Sequence, residues 1–207
     1  MMNVQLTESQ RLFITSDTHA FHKNLCKGIS TWEAGRGQRD FSTLEDMNDA
    51  IVNKINNVVD VGDILIHLGD FAFGGEKKIR EFRSRLNCND IRLVLGNHDH
   101  IVRRNEKDLQ KLFTKVCSVT EMRCDKQDFV LQHHPLLLWE GIGRGSFHLH
   151  GHTHRSPDKR FGPGKMMGVG VDGHGLKPYV IEEIIELLKN RPIASYINDY
   201  HITEESL

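Results

Sequence analysis

Five short clusters of Asp, Asn and His are spread along the chain, and each stands where a hydrophobic run stops. They are Asp17-Thr18-His19, Gly69-Asp70, Gly96-Asn97-His98-Asp99, His133 ahead of Pro135, and Gly151-His152-Thr153-His154. Carboxylate oxygen and neutral imidazole are ordinary ligands of manganese, iron, zinc and nickel. Together the clusters hold enough ligands for two cations sharing one carboxylate, and Asp70 is the natural bridge. Asn97 adds an oxygen without adding charge. A cation pair clamps a phosphoryl group and makes hydroxide available at neutral pH. Hydrolysis at phosphorus is therefore the chemistry implied: in-line attack by a hydroxide shared between two ions, with a nearby Arg offsetting charge on the equatorial oxygens.

Each cluster alone has a plainer reading. Asp17-Thr18-His19 could be a turn with an Asx cap. Gly69-Asp70 and Gly96-Asn97 are common turn dipeptides, and His133 and His134 could end a strand facing solvent. The common position of all five after apolar runs argues against unrelated turns. In open α/β sheets, loops at the carboxyl ends of strands meet in one crevice. A buried Asp and His cluster without a cation would also be costly through desolvation and repulsion. The D-x-H and H-x-H spacings put alternate side chains on one side if the backbone there is extended. Gly69, Gly96 and Gly151 allow tight turns and close backbone approach.

The elements that must position these residues are short apolar runs alternating with helical patterns. Leu12 to Ser16, Ile64 to Leu68, Ile91 to Leu95, Phe129 to Gln132, Phe147 to His150 and Met167 to Val171 read as buried strands. Ser42 opens a helix, with Glu45 completing a capping box. Its apolar stripe is Leu44, Met47, Ile51, Ile55 and Val58. A second helix carries Ile79, Phe82 and Leu86. A shorter one runs near Glu106 to Phe113, and a last presents Ile181, Ile184, Ile185 and Leu188. Helices fall between the early strands and strands cluster later, which predicts an α/β fold with mixed sheets. Residues 1–207 read as one domain, with Lys27 to Phe41 and Ser156 to Lys165 as surface loops and 192–207 as a loosely docked tail.

The 207 residues are 38% apolar, enough for a core, and carry a formal net charge of −1. That charge gives no global field toward nucleic acid or acidic lipid, so strong nucleic-acid binding is not expected. Met1 to Gln10 lacks the apolar stretch of a signal peptide. No apolar run approaches the ~20 residues that span a bilayer. A soluble, cytoplasmic protein without membrane contact is expected. Cys26, Cys88, Cys117 and Cys124 form no C-x-x-C pair and read as buried or free thiols. Trp32 and Trp139 read as core or loop anchors.

The five clusters, in this order, resemble the calcineurin-like metallophosphoesterase superfamily, whose blocks run D-x-H, G-D, G-N-H-D/E, H and G-H-x-H. The looser likeness extends from Leu12 to about Leu188. Gly168-Val169-Gly170-Val171-Asp172 is similar to a strand of small bacterial and phage members. The second block is often G-D-x-x-D, and here Phe73 stands at its last position. The resemblance implies a four-layer fold, with two mixed β-sheets packed as a sandwich flanked by helices. It implies one ion held by Asp17, His19, Asp70 and His154 and a second by Asp70, Asn97, His133 and His152. Manganese is the first choice, with iron, zinc or nickel as alternatives. It makes His98 the general acid or a phosphate contact, with Asp99 beside it. His22, Arg36, Arg39, Arg144 and Arg155 lie in loops near the blocks and are the candidate substrate contacts. The expected substrate is a small phosphate ester, a phosphodiester first. A nuclease, and a non-catalytic scaffold for protein contacts, are the alternatives.

Overall fold

The structure, a computed structural model, describes residues 2–33, 38–105, 107–154 and 162–194. Its strands are β1 (Met2–Asn3), β2 (Leu12–Thr15), β3 (Ile64–His67), β4 (Asp90–Val94), β5 (Lys115–Cys117), β6 (Val119–Cys124), β7 (Gln127–Gln132), β8 (Phe147–His150), β9 (Met166–Gly168) and β10 (Tyr179–Val180). Its helices are α1 (Leu44–Asn56), α2 (Glu76–Arg85), α3 (His100–Arg104) and α4 (Ile181–Lys189). The strands form two mixed sheets, ordered β10-β2-β3-β4-β5 and β1-β6-β7-β8-β9.

The first sheet shows why its strands read as unbroken apolar runs. β2 and β3 are buried at every position, as parallel strands covered on both faces must be. Alternate side chains serve two cores. Phe13, Leu65, Ile91 and Leu93 pack with Met47, Ile51 and Ile55 of α1 and Ile79 and Phe82 of α2. Leu12, Ile14, Ile64 and Ile66 face the second sheet's Met122, Phe129, Leu131, Phe147 and Leu149. The expected sandwich is present, with uneven flanks. The outer face of the second sheet packs Val130 and Met166 against Trp139, Ile142 and Ala194.

Several local boundaries differ from expectation. Thr43, not Ser42, caps α1: its hydroxyl accepts from Asp46 N at 3.1 Å and donates to Asp46 Oδ2 at 2.6 Å. The helix expected near Glu106 to Phe113 is reduced to a one-turn helix at Leu109–Leu112, and α3 ends before it, at Arg104. The strand expected at Met167 to Val171 ends at Gly168, after which Gly170 bridges Ser16 in parallel. β5 and β6 were not expected. β6 and β7 form a hairpin through Asp125 and Lys126, both at positive φ (47° and 65°), as a tight primed turn requires. No helix among the described residues is long and apolar enough to cross a membrane.

Parallel pairing fixes where the chemistry lies. β2, β3 and β4 run side by side, so the residues after Thr15, His67 and Val94 leave the sheet at one end. In the second sheet β7 and β8 are also parallel, and they deliver His133 and Gly151. The Ser16 to Gly170 bridge and a hydrogen bond from Gly151 N to His133 O (2.8 Å) tie these ends together.

Candidate metal centre

The chain turns abruptly where the strands stop. Asp17 (φ 56°), His19 (φ 45°), Asp70 (φ 57°), His152 (φ 70°) and His154 (φ 48°) all occupy the left-handed region. The convergence of D-x-H and H-x-H side chains thus comes from kinked backbone, not from the extended backbone expected. Each such residue costs about 1 kcal/mol or more, and strain of this kind persists only where surroundings enforce it. The enforcement is visible. Asp17 N and His19 N donate to the carbonyls of Gly69 and Asp70, both at 2.9 Å. His152 N donates to both carboxylate oxygens of Asp17, at 2.9 and 3.0 Å. At Gly151 an added Cβ would sit 2.6 Å from Asp17 Oδ2, so a side chain there would push into the cluster.

The seven predicted ligands meet in one place. Asp70 Oδ2 lies 3.4 Å from His19 Nε2 and 3.3 Å from His133 Nε2. His19 Nε2 and His154 Nε2 are 3.0 Å apart, and Asp17 Oδ1 is 3.9 and 3.8 Å from them. On the other side, Asn97 Oδ1 is 2.9 Å from His133 Nε2 and 3.0 Å from His152 Nδ1. Ligand atoms of Asp17, His19 and His154 form one compact group, and those of Asp17, Asp70 and His133 another. His134 was not among the predicted ligands, yet it groups with His133 and His152. Its ring lies 4.4 Å from that of His152.

Proton bookkeeping shows that this set suits cations. The Leu68 carbonyl can only accept, so His133 Nδ1 donates to it (2.8 Å) and carries the hydrogen. The Nε2 of a neutral His133 is then a bare lone pair facing the oxygens of Asn97 and Asp70. Likewise His154 Nδ1 donates to Asp172 Oδ2 at 2.6 Å, leaving its Nε2 bare toward His19 Nε2. Around His133 acceptors thus face acceptors, an arrangement that a bound cation turns from repulsive to attractive. Burial drives His19 well below the ordinary imidazole pKa, which keeps it in the neutral form that a ligand needs. Burial alone would also lower His133 and His154, but the Asp70 bond to one and the Asp172 bond to the other outweigh it and raise both. Asp70 is held below the usual carboxylate range: burial would raise it, and His133 outweighs that.

Two residues that the sequence did not single out as a pair brace the cluster. Asp172 holds His154 and is itself held by Arg39, whose Nε donates at 2.7 Å and Nη2 at 3.2 Å. The same guanidinium donates to the carbonyls of Thr18 and Asp17, both at 2.7 Å. Arg39 is 6% exposed. The expectation that Arg39 contacts substrate is therefore corrected: its donors are spent on the loop that carries Asp17 and His19. Arg144 is also corrected. It is exposed, pairs with Glu140 at 2.6 Å, and lines a cavity with β6 and β7 residues, none of them a predicted ligand. Arg36 and Arg155 lie outside the described residues, as do 156–161 and 195–207.

The third cluster divides its work. His98 is exposed, its ring 5.5 Å from that of His19. Its backbone N donates to Asp70 Oδ1 at 2.8 Å. Asp99 was expected among the catalytic groups, but it is buried and accepts from the backbone amides of Asp70 (2.8 Å), Phe71 (3.0 Å) and Gly96 (2.8 Å). It clamps the second and third clusters together and presents no free oxygen edge to a substrate. His22 sits 5.6 Å from the His19 ring. Trp139 anchors a loop as expected, donating from Nε1 to the Ser146 carbonyl at 3.2 Å. Trp32 does not: it is 42% exposed.

Residues 10–159, which contain all five clusters, match the family model for calcineurin-like phosphoesterase. The chain belongs to this family. Its members are phosphoesterases, and the family is metal-dependent. An uncharacterized protein of Methanocaldococcus jannaschii is 28% identical over 196 residues, covering 92% of this chain and 98% of its own. A protein of unknown function from Aquifex aeolicus has a similar fold, with a TM-score of 0.63 and 20% identity over 86% of this chain and all of its own. Against the family pattern, Phe73 in place of the second-block acid puts a ring 4.8 Å from that of His98.

Proposed function

We propose that residues 1–207 form a single-domain, cytoplasmic phosphoesterase that holds two divalent cations, manganese first, and hydrolyses a small phosphodiester. One ion would take Asp17, His19, Asp70 and His154. The other would take Asp70, Asn97, His133 and His152. A single observation carries this reading: one carboxylate oxygen of Asp70 stands between the imidazole nitrogens of both groups, at 3.4 and 3.3 Å. When bound there, a cation pair supplies polarisation of the phosphoryl oxygens and a water acidic enough to ionise near neutral pH.

The remaining work falls to side chains. His98 stands exposed beside His19, where it can protonate the leaving oxygen or hold a phosphate oxygen. Asp99 and Arg39 fix the loops, so the ligands need little rearrangement. Exposure of Asn97, His98 and His152 supports an open site that suits a small ester. Arg39 and Arg144 are engaged elsewhere, which speaks against a basic stripe for long nucleic acid. The four free cysteines suit a reducing cytoplasm. Metal analysis after manganese loading, together with hydrolysis of bis(p-nitrophenyl) phosphate, tests the reading. Two ions per chain and chelator-sensitive turnover are expected. A protein that binds no metal, or turns over equally well in chelator, would contradict it.

A further inference from the structure

Aromatic rings continue outward from the ligand cluster. The His19 ring lies 5.4 Å from Phe73 and 5.6 Å from His22. Phe73 and His22 meet edge to face at 4.0 Å. His22 in turn lies 5.3 Å from Trp32. The row thus begins at a proposed metal ligand and ends at a large ring that is 42% exposed.

A single exposed tryptophan on a loose loop would mean little. This loop is fastened. Trp32 N donates to Ser30 Oγ at 3.1 Å, and that hydroxyl donates to the Asn24 carbonyl at 2.9 Å. Gln38 Nε2 also donates to Ser30 Oγ, at 2.8 Å. Asn24 Oδ1 accepts from both the backbone and the hydroxyl of Thr31, each at 3.1 Å. Polar contacts therefore hold the backbone in place while the apolar side chain faces solvent beside the centre. A fixed ring gives up little freedom on binding, which is what makes an aromatic platform effective.

Building on the phosphoesterase reading, we infer that Trp32, backed by His22 and Phe73, is a stacking platform for a nucleobase, and that the substrate class is a nucleoside phosphate ester. The phosphate would sit at the ligand cluster and the base on the outer end of the row. Stacking accepts any base, because each has a π-face.

Calorimetry on the manganese-loaded protein with adenosine 5′-monophosphate and ribose 5-phosphate isolates the base, since the phosphate is common to both. The nucleotide should bind about tenfold more tightly, the size of one stacked base. Trp32→Ala should bring the two affinities to within about twofold, and Trp32→Phe should keep most of the gap. Equal affinities in the unaltered protein, or a gap that survives Trp32→Ala, would overturn the platform. Hydrolysis is scored separately. A protein that discriminates the two probes but hydrolyses no ester would sink the phosphoesterase reading and leave the platform standing. One that hydrolyses esters but binds both probes alike would do the reverse.

Discussion

On one side of Asp70 the side chains are braced from behind, and on the other they stand nearly alone. Asp17 and His19 are 0% and 4% exposed, and His154 is fixed by Asp172, which Arg39 holds in turn. Opposite them, only His133 is buried, anchored by Leu68; Asn97 and His152 are exposed. The same donor chemistry is thus built at two levels of rigidity. A preformed, enclosed ligand set binds an ion with little reorganisation, and an open one exchanges its ion and leaves room for substrate. Unequal ions are therefore expected: a tight one at Asp17, His19 and His154, and a weaker one at Asn97, His133 and His152.

Removing the shared oxygen should have the largest effect. Asp70→Asn deletes the charge common to both halves, and both ions and all hydrolysis should be lost. Two tightly held ions and normal turnover in that variant would break the scheme. His98→Ala comes next. It should keep both ions and lower kcat by roughly 10²–10⁴, the range for a lost general acid. An unchanged rate with a poor leaving group would remove the role, and loss of an ion would make His98 a ligand.

Asp172→Ala sharpens the comparison itself. Removing the partner of a ligating histidine typically weakens metal binding 10–100-fold, and here the loss should fall on the tight ion alone. Calorimetric titration would show the two affinities drawing together. A drop confined to the weaker ion would reverse the assignment of halves.

A change remote from both halves should touch stability only. The Asp63 carboxylate accepts from the amides of Arg11 and Asp60, both at 2.9 Å, and from the Arg11 guanidinium at 2.8 Å. Burial would raise its pKa, but those amides and the guanidinium outweigh it and leave it lowered. A lowered folded-state pKa means that the stabilisation is present above the unfolded value, about 3.9. It is lost as pH falls through the folded value. Asp63→Ala should cost roughly 1–3 kcal/mol at pH 7. In urea unfolding of the metal-free protein the deficit should narrow near pH 3, and at pH 7 the folded variant should take up metal as the unaltered protein does. A deficit of equal size at both pH values would show that the charge is irrelevant.

The residues of the cluster were legible in the sequence because each stands within four residues of the end of a buried strand, and parallel pairing carries such local positions to one place. The bracing was not. Arg39 and Asp172 are 133 residues apart, and their contact is set by tertiary packing that no local spacing records. Arg39 sits in a stretch rich in Gly and Arg that reads as surface. Asp99 looked catalytic because it adjoins His98, and only the fold shows three backbone amides turned toward it. The cap of α1 missed by one residue because Ser42 and Thr43 are both good caps, each with an acid three residues on. β6 was overlooked because its buried positions are Thr120, Met122 and Cys124, a weak apolar alternation.

Manganese titration of the metal-free protein, followed by electron paramagnetic resonance, tests the shared carboxylate most directly. Two ions per chain are expected, a tight one and then a weaker one. The second should bring an exchange-coupled spectrum that Asp70→Asn abolishes. Saturation at one ion per chain, or two ions with the spectrum of isolated manganese, would contradict it.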